Sequence, residues 1–346
     1  MQRTVDYAPL LNPIDPAALR QFKALWKQQH PFTPRLEHIL LVSFAALAGL
    51  MFLVTAVALV FAALSSGDGP SNLAAIAPFL LFTGVLVVMW FTLGDPGKWQ
   101  RRFRLSGFAA ANGLLYRPQS RNPNYPGAIF GAGSDRESFD HISSAQGRFL
   151  DYGNYRWTTG SGKNRRVHQW GFLALQLDRS LPHMMLDARA NDTFLGSTLP
   201  VRFQREQRLS LEGGFDRHFT LYCPKQYERD ALYVFTPDLM ALLIDEAAPF
   251  DVEVVDRWLF VYSPRRFDMA QPALHQRLLR IVDTVGAKAL SQTDRYSDER
   301  IGDFAANIVA PQGKRLRRGA PVAAIVIGGL VVALWLLPQL LPVLWR

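Results

Sequence analysis

The sequence predicts an α+β cytosolic domain, mostly an antiparallel sheet with flanking helices, anchored by three transmembrane α-helices. Three observations support this fold class. The chain has three long uncharged apolar segments, a long polar region separates the second from the third, and strand patterns precede helix patterns within that region. With 49% hydrophobic and 19% charged residues, the composition is too apolar for an ordinary soluble domain.

The apolar segments set the predicted domain boundaries. Each is longer than the roughly 20 residues that a helix needs to cross a bilayer, and none contains Asp, Glu, Lys or Arg. Charges inside a span mark ion or proton paths, so their absence argues against a pump or an ion-coupled transporter. The predicted parts are a cytosolic N-terminal segment with an amphipathic helix (1–37), transmembrane helices (38–64, 73–94 and 320–345), an external loop (65–72) and the cytosolic α+β domain (95–319).

Basic residues flank the apolar segments on one side only, which predicts the orientation of the chain. Lys and Arg near a span favour the cytoplasm, and the short loop at 65–72 has neither. We therefore expect a multi-pass protein of the cell (plasma) membrane, with the N-terminus and the large domain cytoplasmic and the C-terminus external. The flanking basic residues are Arg3, Arg20, Lys23, Lys27, Arg35, Lys98, Arg101, Arg102, Arg104, Lys314, Arg315, Arg317 and Arg318.

The distribution of charge indicates the kind of partner. The net charge is +9, but acidic and basic residues balance between 105 and 313, so the excess lies in the flanking segments. This argues against nucleic acid. The predicted partners are the lipid bilayer, its anionic headgroups and an unidentified protein.

The first polar segment predicts a helix over 15–30. Asp15 suits the N-cap and Pro16 the first turn. The apolar residues lie on one face and the basic residues off it, so the helix either rests on the inner leaflet or packs on the cytosolic domain. The apolar face consists of Leu19, Phe22, Leu25 and Trp26.

The α+β domain is predicted element by element. A helix from 98 ends near Gly113, and 117–140 is a loop because it is rich in Pro, Gly, Asn and Ser. A helix over 236–247 starts with Thr236 and Pro237, and a last helix covers 269–290. In the predicted strand over 251–263 the apolar residues change from even to odd positions. Val252 and Val254 precede this phase shift, and Leu259 and Val261 follow it. The other predicted strands are 148–157, 167–177, 183–187, 199–203, 208–212, 218–223 and 230–235.

The letters G-S-G-K at 160–163 resemble the end of a P-loop. A P-loop continues with Ser or Thr and opens a helix, whereas Asn164 follows here and the next segment has a strand pattern. We predict the turn of a β-hairpin over 158–166. A second hypothesis is that Lys163, Arg165 and Arg166 on this turn bind an anion, a lipid headgroup or a partner.

Candidate catalytic groups are few. His183, Asp187 and Asp192 are close in sequence and could do acid–base chemistry, although ion pairs at a strand end explain them as well. No His or Cys spacing indicates a metal site, and no motif indicates a cofactor. The single Cys223 lies in a strand pattern that favours an inert buried thiol.

Three stretches carry a resemblance to known families. The segments 123-PNYPGAIFGAGSDR-136 and 151-DYGNYRWTTGSGKNRRVHQWGFLALQLDRSLPHMMLDARAND-192 resemble a family of uncharacterised integral membrane proteins from actinobacteria. The segment 215-FDRHFTLYCPKQYERDALYVFTPDLMALLID-245 is similar to a wider bacterial membrane-anchored domain of unknown function. The resemblance implies an anchored cytosolic α+β domain and no catalytic residues.

Together these features predict a non-enzymatic scaffold, sensor or binding module at the inner membrane face. The alternative is a membrane-associated enzyme acting on a lipid or cell-envelope precursor, with His183, Asp187 and Asp192 as its groups.

Overall fold

The computed structural model describes residues 4–29, 97–194, 196–211, 213–303 and 305–319, together with isolated positions between 43 and 61. The chain divides into two compact units. One is Met1–Asn12 with Arg104–Arg346, and the other is Pro13–Phe103.

The described helices correct the predicted membrane anchor. Among the residues that the structure describes, no helix is both long and apolar enough to cross a membrane. The longest are α2 (Pro16–Gln29) and α3 (Lys98–Ala111), which follow the short α1 (Ala8–Leu11). Each has 14 residues, or about 21 Å at 1.5 Å per residue, and each carries several basic side chains.

The fold class is therefore corrected to α+β, because none of the three predicted transmembrane helices is found among the described residues. The three apolar segments themselves lie almost wholly outside the described residues. The domain boundaries and the cytoplasmic placement stay predictions.

The unit formed by Pro13–Phe103 contains α2, whose N-terminal cap is as predicted. The Asp15 carboxylate accepts hydrogen bonds from the amides of Ala17 (2.9 Å) and Ala18 (3.3 Å). Within this unit Phe22 meets Phe103 edge to face, with centroids 5.4 Å apart. Phe22 of the apolar face therefore packs on an aromatic side chain, whereas Leu25 of the same face is exposed.

The other unit is built on an antiparallel sheet of seven strands. Their spatial order is β1-β2-β3-β4-β6-β5, and β7 pairs with the other edge of β4. The strands are β1 (Leu114–Arg121), β2 (Ser134–Ser144), β3 (Leu150–Thr159), β4 (Arg166–Ala188), β5 (Arg208–Leu209), β6 (Phe219–Tyr222) and β7 (Asp251–Ser263).

Strand β4 is the centre of the sheet. Its first half pairs with β3 and its second half with β6, while β7 runs along both halves. The predicted strands at 167–177 and 183–187 are thus one strand, whose pairing with β7 is irregular between Gln176 and Met184. Such an irregularity bends a strand.

Strand β7 is bent as well, and the bend makes one face of the sheet concave. The hydroxyl of Tyr262 donates to Glu253 at 2.6 Å, although the two residues lie nine positions apart in the same strand. In a straight strand their Cα atoms would lie about 30 Å apart. The bend falls near Asp256, which has a φ of 51°, and it accounts for the predicted phase shift.

The two faces of the sheet are covered differently. Helices cover the convex face, where the larger apolar cluster includes Leu105, Phe108, Leu278 and Ile281. Loop residues, including Ile129 and Phe130 from 122–133, cover the concave face with a smaller, aromatic cluster. The concave face is therefore the one on which polar side chains of the sheet meet irregular chain.

Both helices predicted after the strands agree with the structure in type and place. The predicted helix at 236–247 is α5 (Pro237–Leu242) with a π-helical turn (Leu243–Ala247), after α4 (Glu228–Val234). The predicted helix at 269–290 is α6 (Pro272–Ile281), a π-helical turn (Val282–Gly286) and α7 (Ala287–Thr293).

Several predicted elements are wrong. The predicted loop at 117–140 contains most of β1 and most of β2, and the predicted strand at 230–235 is α4. No strand forms at 199–203 apart from an isolated bridge at Phe203, and the strand expected at 208–212 shortens to β5. Acidic Glu228 and Asp230 in the first turn of α4 favour a helix there.

Candidate functional site

A cavity of about 650 Å³ opens on the concave face of the sheet. The loop at 122–131 forms one wall, and the chain at 315–318 forms another. His183 from β4 and Glu253 from β7 line it as buried groups, and three arginines line it as well. Those arginines are Arg136, Arg315 and Arg318.

The Glu253 carboxylate is fully buried and lies at the centre of a hydrogen-bond network. Its Oε2 accepts from the Tyr262 hydroxyl (2.6 Å) and from the amide of Ala128 (2.8 Å). Burial, and then the Glu253 charge, raise the pKa of Tyr262 well above its ordinary value, so the phenol stays a donor.

The His183 ring completes this network. Its Nδ1 accepts from the amide of Leu316 (3.0 Å), which places the proton of the neutral ring on Nε2. Nε2 lies 2.7 Å from Oε1 of Glu253, but neither atom makes a well-directed hydrogen bond with any described residue. These two buried atoms beside the cavity therefore form a close but poorly aligned contact.

The arginines differ in how they are held. Arg136 donates to the carbonyl of Phe130 (3.1 Å), and Arg315 pairs with Asp256 at 2.9 Å. Arg318 is exposed and forms no ion pair with the residues that the structure describes. The cavity thus carries positive charge near its opening and a buried carboxylate inside.

A second cavity of about 430 Å³ adjoins the first. It is lined by aromatic rings, among which Trp157 stacks on His168 with centroids 5.0 Å apart and lies 5.9 Å from Trp170. The residues that line both cavities are Ala128, Gly131, Val201 and Arg318. A flat apolar group beside Arg318 would find an aromatic wall.

A second histidine–carboxylate pair lies at the junction of β1, β2 and β3. His141 Nδ1 is 2.8 Å from Asp151 Oδ1, and His141 Nε2 is 2.8 Å from the Ser120 hydroxyl. The other Asp151 oxygen accepts from the hydroxyl of Tyr125 (2.6 Å), a residue that also lines the first cavity. His141 and Asp151 are buried, and Ser120 is half-buried.

The backbone around His141 is shaped to place its ring. Pairing between β2 and β3 shifts between Phe139 and Ile142, and Asp140 has a φ of 45°. Gly153 of β3 lies directly against the bulge, because a Cβ there would come within 2.5 Å of the His141 Cα. A glycine in mid-strand therefore makes room for the histidine.

The predicted catalytic residues are split between two places. His183 lines the first cavity, whereas Asp187 and the exposed Asp192 line a separate cavity of about 260 Å³. Asp187 is buried and accepts from the Ser197 hydroxyl at 2.9 Å. Burial raises the pKa of Asp187 to about 6.

A further buried carboxylate, Asp251, lies beside them. Its Oδ1 accepts from the amide of Ala188 (2.8 Å) and from the side chain of Asn191 (3.0 Å), while its Oδ2 has no partner among the described residues. Burial raises the pKa of Asp251 to about 7, against the lowering effect of the two hydrogen bonds.

The predicted binding residues lie on the hairpin turn between β3 and β4, which confirms the hairpin. Gly160 and Gly162 have positive φ values, as such a turn requires. Lys163, Arg165 and Arg166 are exposed, and Arg165 pairs with Asp135 at 3.3 Å. None of these three residues lines the first or the second cavity.

Sequence reasoning missed Glu253, the Ser120–His141–Asp151 group and Asp251. Glu253 and Asp251 carried a weak signal, because they are charged residues within an otherwise apolar strand pattern. Gly153 inside a predicted strand was the only local sign of the His141 bulge. Across the described ranges, no cluster of His, Cys, Asp and Glu could hold a metal ion.

No family model matches the chain, and no curated protein matches it. Among solved structures it is similar to the mycobacterial trehalose monomycolate transport factor A, TtfA, at 11% sequence identity and a TM-score of 0.38. The match covers 54% of this chain and 93% of the other. At that level the likeness carries no argument about function.

Proposed function

We propose that the cavity on the concave face of the domain is a non-catalytic binding site that holds a small organic anion. The observation that carries this proposal is the buried contact between His183 Nε2 and Glu253 Oε1, which is close but poorly aligned, beside a cavity lined by arginines. Buried polar groups in proteins nearly always have a partner. A ligand hydroxyl at this point would accept from Nε2 and donate to Oε1.

The arginines supply the charge preference. Arg318 has no ion pair within the described chain and lies at the wall shared by both cavities, where it would meet the anionic group of a ligand. The aromatic wall of the second cavity would take an apolar portion. A cavity of about 650 Å³ is in the size range of small-molecule sites.

Binding explains the His183 environment better than acid–base catalysis does. A general base needs a free nitrogen directed at the substrate. Here Nδ1 accepts from a backbone amide and Nε2 faces Glu253, so the ring has no free acceptor for a substrate proton.

The test is calorimetric titration of the purified full-length chain with phenyl phosphate, benzoate, citrate and inorganic phosphate. We expect phenyl phosphate to bind more tightly than inorganic phosphate, because only the ester places a ring on the aromatic wall. Arg318→Gln should weaken that binding at least tenfold.

The matched control is Arg317→Gln, which removes an exposed arginine one position away that does not line the cavity. It should leave the affinity unchanged. Equal affinities for the two variants, or no binding of any of the four anions, would overturn the proposal.

A further inference from the structure

We propose that Ser120, His141 and Asp151 form a proton relay that makes Ser120 a nucleophile toward carboxylic esters. The inference does not rest on the anion cavity. It rests on two distances of 2.8 Å, one from the Ser120 hydroxyl to His141 Nε2 and the other from His141 Nδ1 to Asp151 Oδ1. This is the arrangement of an activated serine, in which a carboxylate orients a histidine and the histidine takes the proton of the serine hydroxyl.

The protonation pattern follows from the partners. Asp151 holds its charge between two donors, the Tyr125 hydroxyl and His141 Nδ1–H. With the proton on Nδ1, the neutral ring has its lone pair on Nε2. Ser120 therefore donates its hydroxyl proton to His141, which is the direction that general-base activation requires.

The accessibility of the group also fits a reacting serine. His141 and Asp151 are buried, where their interaction is weakly screened. Ser120 is half-buried on β1, which is an edge strand of the sheet among the residues that the structure describes. The orienting groups are thus inside the protein, while Ser120 as a residue is partly exposed.

The reaction is an acyl transfer with water as the second reactant. Ser120 Oγ bonds to the ester carbonyl carbon as its proton moves to His141 Nε2, and the bond to the leaving alkoxide breaks as that proton passes to the alcohol. Water then attacks the acyl-serine, giving a proton to His141, and the carboxylic acid leaves as the proton returns to Oγ. Asp151 stays ionised throughout.

The experiment treats the purified full-length chain with a fluorophosphonate probe and maps the adduct by peptide mass spectrometry. The probe phosphonylates an activated serine and releases fluoride. We expect a single adduct on Ser120, absent from Ser120→Ala. Ser180→Ala is the matched control, because Ser180 is half-buried and donates to the carbonyl of Asn307 instead.

His141→Asn and Asp151→Asn test the relay itself. Each should slow labelling about 100-fold, since a positioned general base contributes 10² or more. Circular dichroism identifies any variant that fails to fold. If the variants do not fold, the position of the adduct in the unsubstituted chain still tests the proposal. Labelling spread over other serines, no adduct on Ser120, or an unchanged rate in a folded His141→Asn or Asp151→Asn chain would overturn the proposal.

Discussion

The concave face carries two buried histidine–carboxylate pairs that differ in what holds the second ring nitrogen. In the pair His183–Glu253, the other nitrogen accepts from a backbone amide. In the pair His141–Asp151, it meets the hydroxyl of Ser120. Both carboxylates accept from a tyrosine, so the carboxylate side of the two pairs is alike.

This difference shows that a histidine–carboxylate pair alone does not indicate chemistry. A backbone amide fixes the ring and takes its lone pair, which leaves a rigid polar wall. A serine hydroxyl leaves a movable proton. The partner of the second nitrogen therefore separates a binding role from a reactive one.

The largest expected effect is the loss of the buried carboxylate from the binding pair. Glu253→Ala leaves the Tyr262 hydroxyl and the Ala128 amide without their acceptor and removes the carboxylate beside His183, so we expect the free energy of unfolding to fall by about 3–5 kcal/mol. Urea unfolding of the full-length chain measures it. Glu206→Ala, at an exposed position, should change stability by less than about 0.5 kcal/mol. A loss below about 1 kcal/mol in Glu253→Ala would contradict the network.

The next effect concerns Asp251, a buried carboxylate whose hydrogen-bond partners are the Ala188 amide and the Asn191 side chain rather than a histidine. Its pKa in the folded protein is about 7, above the ordinary value of about 3.9. The folded state then binds more protons than the unfolded chain between these values, so stability falls as pH rises from about 4 to 7. We expect a decline of roughly 2–4 kcal/mol from this group.

Asp251→Asn should remove most of that decline, because an amide does not ionise. Thermal unfolding between pH 5 and pH 8 checks it. Asp245→Asn, at an exposed site, is the control and should keep the slope of the unmodified chain. A slope that Asp251→Asn leaves intact would mean that another group causes it.

A smaller effect is expected at the glycine that accommodates the reactive pair. Gly153→Ala places a methyl group 2.5 Å from the His141 Cα and Cβ atoms, so the strands must separate at a cost of about 1–3 kcal/mol. Gly131→Ala, where a Cβ meets no atom within 4 Å, should be nearly neutral. Equal unfolding midpoints for the two variants would show that the bulge relaxes freely.

The smallest effect comes from the tyrosine hydroxyl that donates to the carboxylate in each pair. Tyr262→Phe should cost about 2 kcal/mol and Tyr125→Phe about 1 kcal/mol, because each removes a donor to a carboxylate and Tyr262 is the more deeply buried. Denaturant unfolding of both variants tests the order. The reverse order would mean that the two carboxylates are not held alike.

The sequence predicted those elements whose signals are local. Pro237 after Thr236 placed a helix start, paired glycines placed the hairpin turn, and the phase shift between Val254 and Leu259 marked the bend of β7. These signals come from backbone conformation and alternation over a few residues, which a single sequence displays directly.

The candidate sites could not be predicted because they depend on pairing between distant strands. β1 has an exposed polar face and contains Pro118, so it reads as loop although it forms an edge strand. With β1 and most of β2 taken as loop, nothing placed Ser120 near His141. Similarly, proximity in sequence grouped His183 with Asp187 and Asp192, whereas the sheet places its ring against Glu253.

The length of β4 has a consequence for how the domain unfolds. Its first half is held by β3 and its last four residues by β6, while β7 pairs with both halves. Neither half can leave without breaking its pairing with β7, so we expect amide hydrogens along all of β4 to exchange together, at the rate of global opening. The β3–β4 hairpin closes locally, but β7 must return from far along the chain, and its docking is the slow step expected in refolding.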